Sequence, residues 1–197
     1  MEDRSGTTVG GFRLLRRVGQ GPQSAAYQGE NELYSGSFRL IKIIESPLLL
    51  PGPTVDKLLR LDHPHLQRFF GLRKDGDCLF LELEWVEGEP LLARHARPEE
   101  EVLSLLQQAA SGLSALHEAG LVQGELRPAN FLRTGEGSLK LRDVGLYPRG
   151  TLRTDVAALV GCACAWWTGR PFEHSLPDGL PPSWRNVFQK ALDPQGP

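Results

Sequence analysis

Apolar residues fall in short runs through the first half of the chain, each bounded by turn residues. The runs "FRLLRRVG" (Phe12 to Gly19) and "SAAYQGE" (Ser24 to Glu30) flank a Gly/Pro turn, and "SFRLIKII" (Ser37 to Ile44) follows the turn "LYSG". Two more runs, "LQRFFGL" (Leu66 to Leu72) and "CLFLELEWV" (Cys78 to Val86), are joined by an Asp75-Gly76 hairpin signal. The pattern predicts five strands in one antiparallel sheet. One short helix, Val55 to Leu61, is predicted among them after the Pro-rich "SPLLLPGP".

The period then changes. From Pro98 onward, Val102, Leu105, Leu106, Ala109, Leu113 and Leu116 repeat at helical spacing, with Glu99, Glu100 and Glu101 at the start and Gly120 as a stop. Two short strands, "NFLRT" and "SLKLR", follow. Asp155 to Thr168 is apolar nearly all round and predicts a buried helix. Ser183 to Leu192 predicts a last helix with a serine cap. A β-rich part followed by a helical part implies an α+β fold, with the boundary near Glu87-Gly88. The expected organisation is a single domain over 1–197, its first lobe 1–86 and its second, shortened lobe 87–197.

Composition narrows the partners. A net charge of -2 argues against nucleic acid or an anionic membrane as the main partner. The basic positions Arg13, Arg16 and Arg17 are read as the solvated face of a strand. Three cysteines, Cys78, Cys162 and Cys164, form no disulfide framework, and "CAC" alone offers too few ligands for a metal. The opening "MEDRSGTTVGG" lacks the pattern of a signal peptide, and no apolar run has the length of a membrane span. A cytoplasmic setting is the expectation.

Several short motifs then appear in a telling order. Gly19 and Gly21 sit in a turn between two strands, where they would let backbone amides approach phosphates, although a plain tight hairpin explains them equally well. Lys42 lies in the middle of an apolar strand. Asn130 and Asp143 carry oxygen donors of the kind Mg2+ prefers. With "LDHPHL", "LEWVEG", "GELRPANFL", "LRDVGL" and "TDVAALVGCACAWWTGRPF" in the same order, the chain resembles the protein kinases, and more narrowly the bacterial Hanks-type Ser/Thr kinases.

That resemblance implies a bilobal kinase-like fold, with a five-stranded antiparallel sheet in the first lobe and a shortened helical second lobe. It implies ATP at Gly19, Gly21, Ser24, Ala26, Leu40, Lys42, Leu83 (the gatekeeper position), Glu84, Val86 and Leu132, Mg2+ at Asn130 and Asp143, and catalysis at Glu125 and Arg127. Ala26 and Leu40 stand where the family has valine and alanine. If both face one pocket the volume is conserved; otherwise Leu40 fills part of the adenine slot.

The departures are concentrated in the catalytic parts. Glu125 replaces the family's base aspartate, one methylene further out, and Arg127 replaces a lysine. Gln123 and Val144 replace a histidine and a phenylalanine that brace the active state, which predicts a weakened brace. The glutamate that pairs with the strand lysine would fall near Thr54, where only Asp56 is close. The activation segment between Asp143 and Asp155 is too short, no A-P-E motif follows, and the arginine expected after "ALDP" does not precede Pro197. Two functions follow: a pseudokinase-like binding or regulatory module with weak or no phosphoryl transfer, or a small active phosphotransferase using Glu125. A ligand-free structural domain is the third, plainer alternative. A protein partner is expected, with the face uncovered by the short segment as a candidate surface; Trp166, Trp167 and Phe172 could contribute to it, but core packing is the favoured reading of these three.

Overall fold

The computed structural model describes residues 1–44, 51–146, 149–173 and 175–193; most of "SPLLLPGP" and the final Pro194 to Pro197 lie outside them. The chain divides into two compact units, Met1–Asp62 with Gln67–Val86, and His63–Leu66 with Glu87–Pro197.

The first unit is built on an antiparallel sheet of six strands: β1 (Thr8–Val9), β2 (Phe12–Gly21), β3 (Ser24–Asn31), β4 (Phe38–Ile44), β5 (Phe69–Asp75) and β6 (Cys78–Glu84), in the order β1-β2-β3-β4-β6-β5. The pattern predicts five strands. The sixth, β1, has only two residues, too few to leave an alternation, and is folded back onto β2 by Gly10 and Gly11, both at positive φ. The strand expected at Leu66 to Leu72 lies three residues later, because Leu66 belongs to the second unit, where it bridges to Leu141.

Alternation fixes which face is buried. Ala25 and Tyr27 of β3, Ile41 and Ile43 of β4 and Phe80 of β6 join Val9, Phe12 and Leu14 in one core, with Met1 and Cys78 packed against it. Each fully buried large side chain there contributes about 1.5–3 kcal/mol. The Tyr27 hydroxyl, at the bottom of this core, accepts from the Arg4 N–H at 3.1 Å. Helix α1 (Gly52–Arg60) starts three residues before the predicted Val55, because Pro53 in its first turn presets helical φ; it buries Leu58.

The second unit holds helices α2 (Glu99–Glu118), α3 (Leu152–Thr168) and α4 (Pro182–Leu192) with a three-stranded sheet, β7 (Gly88–Pro90), β8 (Phe131–Thr134) and β9 (Leu139–Leu141). The strand β7, with its Gly and Pro, has no strand-like pattern and was not expected from the sequence. Helix α2 buries Val102, Leu105, Ala109, Leu113 and Leu116 of the predicted stripe and leaves its sixth member, Leu106, half-buried. It ends where Gly120, at φ 67°, donates its N–H to His117 O and Leu121 donates to Leu116 O, a Schellman stop. Helix α3 begins at Leu152 rather than Asp155, because Thr151 caps it by accepting from Thr154 N–H. Its stretch from Leu159 to Trp166 is buried throughout, as its composition predicts. The serine cap predicted for α4 is not used: Pro181 holds the N-cap position and Ser183 lies inside the helix. Among the described residues no helix is long and apolar enough to cross a membrane.

Candidate functional site

In the first unit the strand register gathers the expected nucleotide residues into rows. Gly19 lies opposite Ala26, Ala26 opposite Lys42, and Lys42 opposite Leu81; in the next row Leu40 lies opposite Leu83. Paired residues share a face, and so do residues two apart on a strand. Ala26, Leu40, Lys42 and Leu83 therefore occupy one face, opposite the Tyr27–Ile41–Phe80 core. The two exchanged volumes, Ala26 and Leu40, are diagonal neighbours on that face, so the smaller side chain makes room beside the larger.

The glycine turn closes through Pro22 and Gln23, with Gly21 opposite Ser24. Neither Gly19 nor Gly21 is at positive φ. A side chain at Gly19 would touch only the Ala26 methyl, at 3.7 Å, whereas one at Gly21 would press on Ser24 Oγ at 3.0 Å. The main chain at these glycines is thus bare without being strained. Helix α1 carries no glutamate; its single acid, Asp56, is exposed. Glu84, the last residue of β6, and Val86, two residues beyond it, complete the set on this unit.

In the second unit a buried carboxylate organises the loop that holds Glu125. Asp155 is 1% exposed and accepts from Gln123 N–H at 2.7 Å, Gly124 N–H at 2.9 Å and the His117 ring at 2.9 Å. An acid placed at the start of an apolar helix can stay buried only when donors converge on it. Beyond this anchor the loop presents Glu125 and Arg127 to solvent and buries Leu126 between them. Pro128–Asn130 form one 3-10 turn. The Asn130 amide oxygen accepts from Arg127 N–H at 3.1 Å, and its main-chain oxygen accepts from Arg142 N–H at 2.9 Å. Asn130 and Asp143 are thereby brought together through Arg142. Leu132, on β8, is buried and pairs with Lys140 and Pro90.

Asp143 stands at φ 56°, the one described non-glycine residue in the left-handed region. Asp tolerates that geometry better than most residues, at a cost of order 1–3 kcal/mol, when its surroundings hold it. They do so through Gln123. The Gln123 amide donates to Arg142 O at 3.2 Å and Asp143 O at 3.4 Å, and its oxygen accepts from Gly145 N–H at 3.3 Å. The sequence predicts that a polar residue here weakens the brace. The structure shows the reverse: Gln123 is 1% exposed, its amide is hydrogen-bonded at both ends, and it fixes the turn that carries Asp143. Val144, two residues before Leu146, is buried.

Two residues of this arrangement, Gln123 and Asp155, were not in the set expected from the sequence. The signal for Asp155 was a lone acid at the head of the apolar run "DVAALVGCACAWW". Of the three aromatics weighed between core and surface, two pack as the favoured core reading has them. Trp166 is fully buried, donates its indole N–H to Leu91 O at 2.8 Å and packs edge-on against Phe131. Trp167 packs against Trp184 at a tilt, with ring centroids 5.6 Å apart. Phe172 alone of the three lines an apolar groove of about 610 Å3, with Leu126, Ala129, Ala157 and Gly161.

The donor set limits the metal. Among the described residues no group of three or more His, Cys, Asp or Glu could hold an ion. One carboxylate and one amide oxygen, Asp143 and Asn130, suit Mg2+ only when phosphates and water complete its shell. The cysteines are uninvolved: all three are free, and burial pushes the Cys164 thiol up to about 11 and the Cys162 thiol higher still.

Comparison with known proteins agrees with this arrangement. The protein kinase domain family model matches residues 12–167. The serine/threonine-protein kinase pkn2 of Myxococcus xanthus is 33% identical over 131 residues, covering 61% of this chain and 16% of that protein. The cytokinesis protein sepH of Aspergillus niger is 33% identical over 149 residues, covering 71% of this chain and 11% of that protein. The chain thus spans less than a fifth of either relative's length. Among solved structures, the Mycobacterium tuberculosis PknI kinase domain superposes with a TM-score of 0.75 at 20% identity, covering 98% of this chain and 91% of that one. Rad53 1-466 in complex with AMP-PNP gives a TM-score of 0.77 at 21% identity, covering 93% and 60%. These structural likenesses establish the kinase-like α+β fold, and the family match extends over most of the sequence. The chain belongs to the protein kinase superfamily, with bacterial Hanks-type Ser/Thr kinases among its relatives.

Proposed function

We propose that this chain is a pseudokinase-like binding or regulatory module, which keeps residues for a nucleotide and a divalent cation and has weak or no phosphoryl transfer. One observation carries the reading: only residues 144–151 connect Asp143 to the first turn of α3. A span that short leaves no segment on which a peptide substrate could lie. The base position adds to it. Glu125 reaches one methylene further than the aspartate its relatives use, and a displacement of about 1 Å can cost on the order of 100-fold in rate.

Nucleotide binding is supported by the shared sheet face of Ala26, Leu40, Lys42 and Leu83, and by the ordered turn at Asp143. ATP and Mg2+ are the ligands in this reading. The cation, held by Asp143 and Asn130, would neutralise phosphate charge. Lys42 would place a cation near the phosphates, and the bare main chain at Gly19 would let amides approach them. A protein partner and a reducing, cytoplasmic setting belong to the same proposal, which the free cysteines support.

A second reading, a small active phosphotransferase, is favoured by the intact Gln123–Asp143 bracing, because phosphoryl transfer depends mainly on positioning and charge. Thermal unfolding with ATP, with Mg2+, with both and with neither tests the binding. A ligand at 100 times its Kd adds about 2.7 kcal/mol, which in a chain of this size is a rise of roughly 5–10 °C. The rise should need Mg2+ and vanish in Asp143→Ala. No shift at saturating nucleotide would remove the nucleotide from the proposal.

A further inference from the structure

The tip of the β3–β4 hairpin carries two large apolar side chains into solvent: Leu33 is 84% and Tyr34 69% exposed. Exposed apolar residues scattered singly are ordinary; two adjacent ones at a tip form a patch. The turn that carries them is fixed. Asn31 Oδ1 accepts from Leu33 N–H at 2.9 Å and from Tyr34 N–H at 3.2 Å, and the Glu30 carboxylate accepts from Gly36 N–H at 3.0 Å. Little backbone order therefore remains to be lost when the tip binds. Glu32, next to them, is exposed; its carboxylate accepts from the Thr8 hydroxyl at 2.8 Å, a bond that leaves its charge in place.

The other unit holds the apolar groove of about 610 Å3. Ala157, Gly161 and Ala165 line it at every fourth residue of α3, so small residues share that face of the helix. Phe172 lies against Gly161, where a Cβ would come within 3.1 Å of its ring. Arg127 is the one charged residue in the lining. Among the described residues neither Arg127 nor Glu32 is in an ion pair.

We propose that the groove takes the hairpin tip of a second copy of this chain, with Leu33 and Tyr34 seated among the small residues of α3 and Glu32 set against Arg127. The occupant is a second copy because the chain itself carries the complementary piece. An apolar tip with one acid beside it matches an apolar groove with one cation in its wall, and the charge pair fixes the direction of entry. Tyrosine suits the contact, since its ring buries area while its hydroxyl keeps a polar partner. Tip and groove are unlike surfaces, so the contact is head-to-tail and adds copies in a row unless the geometry closes. One tip in one groove buries little area, which places the association in the weak class. The contact needs no bound nucleotide, so its failure leaves the nucleotide part of the proposed function as it stands.

Sedimentation equilibrium of the full chain over about 5–500 µM, the range of a weak contact, tests this. The weight-average mass of the parent should climb above the monomer value as concentration rises. Two variants each remove one side of the contact: Leu33→Ser with Tyr34→Ser strips the tip, and Ala157→Trp fills the groove. Each should weaken association about 10-fold or more. Melting curves check that both fold, and Ala157→Gln is the second groove variant should the tryptophan not be accepted. The tip variant keeps a groove and the groove variant keeps a tip, so an equimolar mixture of the two should regain association and stop at pairs. Glu32→Lys should also weaken it, by a factor that shrinks as salt is added. A mixture no more associated than its parts, or association that both variants leave unchanged, overturns the proposal. A parent that stays monomeric throughout also overturns it, and leaves the groove to another occupant.

Discussion

Removing the Asp155 carboxylate should be among the most destructive single changes in the second unit. It is 1% exposed and receives three donors, from Gln123 N, Gly124 N and the His117 ring. A hydrogen bond to a charged group contributes roughly 1.5–3 kcal/mol, and each buried donor left without a partner costs about 1–3 kcal/mol. These terms overlap, and breaking a buried charged pair costs about 3–5 kcal/mol in all. Asp155→Ala should therefore lose about 3–5 kcal/mol, a fall of roughly 6–20 °C in Tm for a chain of this size. Asp155→Asn keeps the volume and one acceptor oxygen, and should lose about 1–3 kcal/mol. Urea and thermal unfolding of the three proteins, followed by circular dichroism, give both numbers. A loss below about 1 kcal/mol for Asp155→Ala would refute the argument, because the three bonds would then have been replaceable by water.

Two further changes probe other parts of the account. Gly169 ends α3 at φ 69°, and a side chain there would collide with the main chain of His95 and Ala96; Gly169→Ala should cost about 2–5 kcal/mol, against about 1–2 kcal/mol for Gly137→Ala, at φ 80° with open space around it. Burial, followed by the charges of His65 and Lys140, pushes the His63 ring below its usual 6.5. The unfolded chain then binds the proton first, so this contribution is present above about pH 6.5 and is lost as pH falls toward the lower folded value. His63→Asn should flatten the stability–pH curve between about pH 7.5 and 5.5, and an unchanged slope in matched urea titrations would contradict it.

The sequence made the ladder of strands and the long helices legible because their patterns are strong. The stripe Val102–Leu116 and the all-apolar stretch Leu159–Trp166 each have one physical solution, burial on one face or on all sides. Short or capped ends were less legible. Thr151 starts α3 through a side-chain bond that no hydrophobic period announces, and β7 is a Gly-Glu-Pro triplet held only by its pairing with β8. Register, which the pattern does not state, put Ala26, Leu40, Lys42 and Leu83 on one face. Gln123 was misjudged because polarity is costly only when unsatisfied, and its three partners come from a turn some twenty residues away in sequence.

The central claim, a kinase-shaped module without effective phosphoryl transfer, is tested most directly by turnover of γ-labelled ATP with Mg2+, scored as phosphate released and as phosphate passed to any acceptor, including the chain itself. Kinases typically turn over at about 1–100 per second. The account predicts no more than about 0.01–1 per second, the on-the-order-of 100-fold loss set by the displaced carboxylate, with Glu125→Asp raising whatever remains. Turnover of about 1 per second or more that collapses in Glu125→Asp would contradict it, and would make Glu125 the working base of an active phosphotransferase.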